Sequence, residues 1–484
     1  MAQLDPAMGH LLRRAGFGAS QAEAETWNAL SIDAAIDRLV DFEQIPDDVD
    51  THIGTPGYLG TVSEGPFTPH LDFVDALQRW IFRMVHTQRP LQEKMALFWH
   101  NHFATGYGKV AGQLGEQGGV RALFSKPSED VDGLTGQLEM FRTRALGNFG
   151  DLLLAVAQDP AMVAWLDGDS NFKDEPQENF ARELMELYTV GVGQFTEADV
   201  HAGARVFTGW NLSYQERSED DGISTFNYDP LEHDPGEKTF SFPIYPDGSH
   251  TIPARDPGHG AQDGLDLIRA LAAHPATGPR LARRLYGFFV TDQAEPDAAL
   301  IDALSATYYA ANYDMRQVVR QLFRSSQFQD PRHRWVRYSW PAEYAIRLTK
   351  EVGWVGFSAD NILWSMLQMG QFLYQPPTVA GWPGGSAWFS TTTMLSRMNF
   401  AAWLTWVEQF ELQRAAQDSA ESPDALLAYY LDRLSSKPFS AQSQAALRDF
   451  ILAFGRWTGS PQQVRAAGAG VAHLIGASGE YQFV

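Results

Sequence analysis

The sequence predicts a mainly α protein, a large multi-helix assembly with long irregular loops and at most a small β-hairpin. Three observations predict this class. Apolar residues recur at helical spacing through most of the 484 residues. Prolines and capping residues stand at the heads of these segments, with glycines past several of their ends. Strand-like alternation is confined to one stretch, 211–260.

Composition narrows the function classes. With 44% hydrophobic and 20% charged residues, the chain is an ordinary globular one that can bury a sizeable core. Its 59 acidic against 37 basic residues leave a formal charge of −22. That balance argues against nucleic acid or an anionic membrane surface as a partner, and favours a neutral or cationic one. There is no cysteine, which excludes disulfides, thiolate metal sites and cysteine nucleophiles. No apolar run approaches the roughly 20 residues that span a bilayer. Met1 to Ser20 lacks the uninterrupted apolar segment of a secretory signal. The chain therefore reads as cytoplasmic as it stands, or as exported if a leader has been removed.

In chain order, Ala22 to Leu30 and Ile32 to Phe42 carry helical spacing, with Ser31 as N-cap of the second. A Gly-, Pro- and Thr-rich loop runs from Ile45 to Pro69. An amphipathic helix, Leu71 to His86, follows, and Pro90 opens another that extends to about Phe103. The six glycines of Gly106 to Gly119 read as a flexible loop, of the kind that forms a lid. Helices return at Gly133 to Leu146, Phe149 to Gln158 and Pro160 to Leu166. Pro176 precedes a short helix, Glu178 to Leu187, that stops before Gly191 and Gly193. Thr196-Glu197-Ala198-Asp199 is a capping box starting the helix through Phe207. The excursion 211–260 contains the acidic run Glu216 to Asp221 and the alternating Lys238-Thr239-Phe240-Ser241-Phe242. Helical segments then continue to Met369, a loop dense in Pro, Gly and Trp spans Gln375 to Trp388, and helices resume from Thr391. This divides the chain into a main helical domain, 1–390, which carries the site, and a C-terminal helical subdomain, 391–484, packed on it.

Four polar clusters can carry chemistry. On the Glu178 helix, Asn179, Glu183 and Glu186 fall within roughly 60° of one another and form a stripe suited to a cation. The plain alternative is a wet face of i,i+4 ion pairs, Glu178–Arg182 and Arg182–Glu186. Trp99-His100-Asn101-His102-Phe103 ends the Pro90 helix. In an extended exit His100 and His102 point the same way, whereas on a continuing helix they diverge by roughly 200°. Glu93, seven residues earlier on the same face, is placed to orient His100. Asp229 to Lys238 offers His233, Asp234 and Lys238 on a proline-stiffened turn. Finally, Trp382 and Trp388 on the Pro376 to Trp388 loop, with Trp210, offer aromatic faces for a sugar or other ligand, or else pack the core. Asp167 and Asn171 begin a calcium-loop spacing that Phe172, in place of the required glycine, leaves incomplete.

Several ordered segments carry a resemblance. They are His10-Leu11-Leu12-Arg13-Arg14-Ala15-Gly16-Phe17-Gly18, Phe98 to Phe103, the Glu178 helix with Thr189-Val190-Gly191-Val192-Gly193, and Ala204-Arg205-Val206-Phe207-Thr208-Gly209-Trp210. With them go His233-Asp234 followed by Gly236 and Lys238, His274-Pro275-Ala276-Thr277, the Pro-Pro-x-Val-x-Gly-Trp-Pro-Gly-Gly loop, and Ser478-Gly479-Glu480-Tyr481-Gln482. Over essentially its whole length the chain resembles the bacterial family named domain of unknown function 1800. Gln177 and Gly479 depart from the family's usual asparagine and proline. The resemblance implies a large helical bacterial protein, whose genes often neighbour a sulfatase-like exported family, and hence chemistry on an extracellular or envelope polymer.

The family pattern runs through polar as well as core residues, so the clusters are expected to form one site. The expected protein is an enzyme, a hydrolase or oxidoreductase, acting on a small molecule, glycan or envelope polymer. Glu183, Glu186, His100, His102 and His233 would hold a divalent zinc, manganese or iron ion. The catalytic set would be His100, His102, Arg182, His233, Asp234 and Lys238, with Trp210, Trp382 and Trp388 on the substrate. In that scheme His100 or His102 moves the proton, and Arg182 or Lys238 holds a substrate anion. The alternative is a non-catalytic partner or maturation factor of the sulfatase-like neighbour, recognisable by an apolar docking surface.

Overall fold

The computed structural model describes residues 4–130, 132–218, 221–353, 357–406, 410–434 and 436–484. Of the chain, 59% is helical, in 24 helices, with two antiparallel two-stranded sheets among the described residues. Local chemistry sets the helix starts. Ser31 caps Ile32–Val40, Pro90 opens Pro90–His102, and Ser422 caps Pro423–Arg433. Thr196 and Asp199 form the expected capping box. The serine and threonine caps each satisfy backbone N–H groups that a helix start leaves orphaned and contribute about 1 kcal/mol.

Strand occurs where alternation predicts it. β1 (Trp210–Ser218) pairs with β2 (Asp221–Tyr228), Trp210 opposite Tyr228, and β3 (Lys238–Thr239) pairs with β4 (Thr251–Ile252). The middle of the acidic run, 219–220, lies outside the described residues.

The glycine-rich stretch 106–119 is not a loop. It forms two helices, Tyr107–Leu114 and Glu116–Phe124, hinged at Gly115 with φ 78°. A Cβ at Gly119 would lie 2.9 Å from the Ala111 Cα. Glycine here lets two helix backbones touch, so its role is close packing rather than mobility.

Two buried helices organise the middle of the molecule. In Pro90–His102 the run Leu91 to His100 is buried all round, including Glu93 and Lys94. All twelve residues of Pro341–Val352 are buried. The two are joined through Glu343, whose carboxylate accepts from Lys94 Nζ, from Arg337 Nη1 at 2.8 and 2.9 Å, and from the Trp340 N–H at 2.9 Å. Lys94 Nζ also donates to the Gly16 carbonyl at 3.0 Å, which brings in the N-terminal segment. Burial pushes the Glu343 carboxyl up, but the adjacent Arg337 and Lys94 charges outweigh it and hold it at about 2.

The C-terminal helices close against the same core. The Tyr344 hydroxyl donates to the carbonyls of Arg397 and Gly476 at 3.0 and 2.9 Å. Arg347 donates to the Tyr481 and Phe483 carbonyls.

Removing the shared carboxylate leaves two buried cations uncompensated. Glu343→Gln is expected to lower the unfolding free energy in urea by about 3–5 kcal/mol. An unchanged midpoint would contradict this account of the core.

Candidate functional site

The Pro90 helix does not exit early. It continues through His102, so the two imidazoles leave opposite sides and do not converge. His100 Nε2 accepts the Tyr374 N–H at 3.1 Å, which puts the ring proton on Nδ1. His102 Nε2 lies 3.1 Å from the Tyr188 carbonyl, which can only accept, so this ring carries its proton on Nε2. Burial holds His100 at about 3 and His102 well below 6.5, the latter helped by the charge of Arg284. Both rings are neutral and enclosed, and each is tied to a backbone group through Nε2, while its Nδ1 is buried without a partner among the described residues. Glu93 does not orient His100. It accepts from Trp80 Nε1 at 3.1 Å and Arg142 Nε at 2.7 Å. The motif instead clamps a distant loop, because Asn101 Oδ1 accepts the Trp382 N–H at 2.7 Å. A Cβ at Gly381, whose φ is 83°, would fall 2.3 Å from Asn101 Oδ1, so this contact requires glycine.

The Glu178 stripe behaves as a partly wet face. Arg182 pairs with Glu178 at 3.0 Å and with Glu197 at 2.8 Å, and so serves as a surface ion pair rather than a substrate clamp. Asn179 is exposed and donates to Asp167 Oδ2 at 3.0 Å. Glu183 and Glu186 are half-buried, and the Glu183 carboxyl is pushed up by burial and then by the charge of Glu186. After Glu183 the helix widens into a π-turn, Leu184–Tyr188, which departs from the 100° spacing assumed for the stripe.

The three tryptophans are core residues, with relative exposures of 3% for Trp210, 6% for Trp382 and 4% for Trp388. Trp210 packs edge-on to Phe207 and Phe226, Trp382 lies against His100, and Trp388 against Trp340. None presents an open face on which a ligand can stack.

The His233 loop does form a polar centre, with partners other than those expected. His233 Nδ1 donates to the Thr208 carbonyl at 2.8 Å, and Nε2 lies 3.4 Å from both Lys238 Nζ and Asp263 Oδ2. Lys238 Nζ donates to Asp263 Oδ2 at 2.6 Å and also to the Asp234 carbonyl. His233, Lys238 and Asp263 are fully enclosed, so Lys238 is not free to hold a substrate anion. Asp234 is no acid/base partner of His233, since Arg205 binds its carboxylate at 2.6 and 3.2 Å. Among the described residues no three His, Asp or Glu side chains stand close enough to hold a metal ion. The expected ligands Glu183, Glu186, His100, His102 and His233 are therefore not gathered.

From this centre a chain of contacts reaches a cleft. Arg255 Nη1 donates to Asp263 Oδ1 at 2.6 Å, and its Nη2 donates to Asp266 Oδ2 at 2.5 Å and the Tyr245 hydroxyl at 3.0 Å. Tyr245 donates its own proton to Asp266 Oδ2 at 2.7 Å. Burial and the hydrogen bond to Asp266 push this phenol up to about 12. Tyr245 and Asp266 form part of the wall of a cleft of about 870 Å3 between the helices Phe149–Ala157 and Ala261–Ala273. Asn148, Asp151, Arg269, His274, Asn312 and Tyr313 complete its polar and aromatic lining. His274 Nδ1 accepts the Ala276 N–H at 3.2 Å, so Nε2 carries the proton, and burial holds the ring below its usual 6.5. On the rim, Asn312 and Tyr313 both adopt positive φ, 51° and 66°, held by donation from the Asn148 side chain and the Phe149 N–H to their carbonyls.

Sequence reasoning missed Asp263, Asp266, Arg255 and Tyr245. The legible signal was on the helix Ala261–Ala273, where Asp263 and Asp266 share a face with Leu267 and Ala270. Carboxylates inside an apolar stripe must be paired, and the partners come from the preceding excursion.

Comparison with known proteins gives a family and no function. A family model described as a protein of unknown function (DUF1800) matches residues 10–483, so the chain belongs to that family. No curated protein and no solved structure matches it.

Buried neutral histidines make stability depend on pH. His86 and His100 are held at about 3 by burial, against 6.5 for an unfolded chain, so the unfolded state binds more protons below 6.5. Stability is therefore fully present above about 6.5 and falls with acid, by about 1.4 kcal/mol per pH unit for each such group. His100→Gln, whose amide oxygen can accept the Tyr374 N–H, is expected to flatten the dependence between pH 6 and 5 by about that amount. An unaltered slope in urea titrations would contradict a neutral His100.

Proposed function

We propose that this member of the DUF1800 family is an enzyme acting on a glycan or related polyhydroxylated polymer, bound in the cleft between the helices Phe149–Ala157 and Ala261–Ala273. One observation carries the reading. The buried His233–Lys238–Asp263 centre connects through Arg255 to the Asp266–Tyr245 pair on the cleft wall. A fold does not bury a lysine and a carboxylate of this kind cheaply, and here they hold a second carboxylate in position at the edge of a cavity.

The chemistry assigned is acid/base. Asp266, positioned by Tyr245 and Arg255, takes a proton from the attacking water and returns it to the departing glycosidic oxygen, and His274 donates a hydrogen bond from Nε2–H to the substrate. Asn148, Asp151 and Asn312 bind hydroxyl groups, and the Tyr245 and Tyr313 rings offer apolar faces for sugars.

The second reading, a non-catalytic partner of an exported protein, is favoured by a different observation. The helix Thr391–Trp406 exposes Leu395, Met398, Trp403 and Trp406, the last at 85%. Such a run of large apolar groups suits a protein contact.

Release of reducing ends from cell-wall polysaccharide and from soluble neutral glucans tests the enzyme. The wild type is expected to release sugar from at least one, and Asp266→Asn to slow release at least about 100-fold. Asp151→Asn alters an exposed residue and is expected to weaken substrate binding while leaving the melting temperature unchanged. No release from any substrate, together with stable capture of an exported partner by the Trp406 face, would favour the second reading.

A further inference from the structure

Another hollow, of about 520 Å3, adjoins the His274–Thr277 turn at Ala276. Ala276 and Pro279 line it, whereas His274 and Pro275 line the cleft. Its other walls are Arg280, Arg283 and Arg284 on the helix Thr277–Phe289 and the Val190–Gln194 loop.

Three features of this hollow point the same way. Positions 280, 283 and 284 share one helical face, and like charges at i,i+4 destabilise a helix. No described carboxylate forms an ion pair with any of the three, in a chain that carries 59 acidic residues. Glu186 is near enough for its charge to favour protonated Arg280, but burial dominates there, and Arg284 is held at about 10 by burial and then by Arg280. The unbalanced positive field extends inward, where Arg284 and Arg280 help keep His102 neutral.

The loop is shaped around one guanidinium. Arg280 Nη2 donates to the Leu187 carbonyl at 3.0 Å, and its Nε is buried without a protein acceptor. Gly191 has a φ of 89°, and a Cβ there would lie 2.9 Å from Arg280 Nη1. Glycine at 191 thus both makes the turn and leaves room for the arginine. The Thr189 to Gly193 motif, which takes no part in the cleft, acquires a role as the wall of this hollow.

We propose that Arg280, Arg283 and Arg284 bind a tetrahedral oxyanion, a sulfate or phosphate group, whether free or borne on a larger ligand. Guanidinium forks match such oxygens, and three of them lining one hollow from one helix exceed what a carboxylate can engage. The proposal stands apart from the reading of the cleft. If both hold, the two sites flank one turn and accept one anionic glycan.

Calorimetric titration of the intact protein with sodium sulfate, sodium phosphate and sodium acetate, at ionic strength fixed with sodium chloride, tests it. Saturable binding of sulfate or phosphate is expected, weakened at least about tenfold by Arg283→Ala, an exposed substitution that leaves the fold intact. Arg280→Lys keeps the charge but loses the fork, and is expected to weaken binding as well. No saturable heat above the chloride background, stronger binding of acetate than of sulfate and phosphate, or binding unaffected by Arg283→Ala would each overturn the assignment. Failure here leaves release of sugar at the cleft untouched, so the two readings fail separately.

Discussion

The structure depends on how one carboxylate is shared. Glu343 sits in a helix with no wet face and takes hydrogen bonds from Lys94, Arg337 and the Trp340 N–H at once. An isolated buried lysine or arginine is costly, and a carboxylate that serves both makes the enclosed Pro90 and Pro341 helices tolerable. The Gly16 carbonyl on Lys94 adds the N-terminal segment to the same junction. Position then propagates along the Pro90 helix to its last turn, where His100 and Asn101 hold the backbone of Tyr374 and Trp382. The His-Asn-His and Gly-Trp-Pro-Gly-Gly motifs, nearly 300 residues apart, are two sides of one contact.

The same economy appears in the polar centre of the excursion. The Arg205 to Trp210 segment supplies the Thr208 carbonyl to His233 and a guanidinium to Asp234, which fixes the loop from below. Asp263 then carries Lys238 and Arg255 together. Burial pushes the Asp263 carboxyl up, and the hydrogen bond from Lys238, with the charges of Lys238 and Arg255, helps bring it below its ordinary value. Charge in this region is balanced pair by pair until the wall of the cleft. Across the His274 turn the balance is broken in favour of arginine.

Much of the fold was legible in the sequence because it is written in local signals. Ser31, Pro90, Ser422 and the Thr196–Asp199 box each start a helix where the chemistry requires, and alternation places the strands. The glycines of 106–119 misled, because close helix contact and flexibility use the same residue, and only the Ala111 neighbour distinguishes them. The site was harder to read for the same reason. His100, His102 and Lys238 are the residue types of a reactive centre, but their partners are the carbonyl of Tyr188, the N–H of Tyr374 and the carboxylate of Asp263. Backbone partners leave no trace in composition or spacing. Arg182 pairs with Glu178 as the i,i+4 rule describes but takes Glu197 rather than Glu186 as its other partner, and Trp210, Trp382 and Trp388 went to the core.

The central claim is that the cleft edged by Tyr245, Asp266 and His274 is where the protein works. Crystals soaked in a concentrated mixture of short oligosaccharides test it most directly. The account predicts sugar density in that cleft, with a ring against Tyr245 or Tyr313 and a hydroxyl within hydrogen-bond distance of Asp266. Sugar bound only elsewhere, or a cleft filled by solvent alone at saturating ligand, would contradict it.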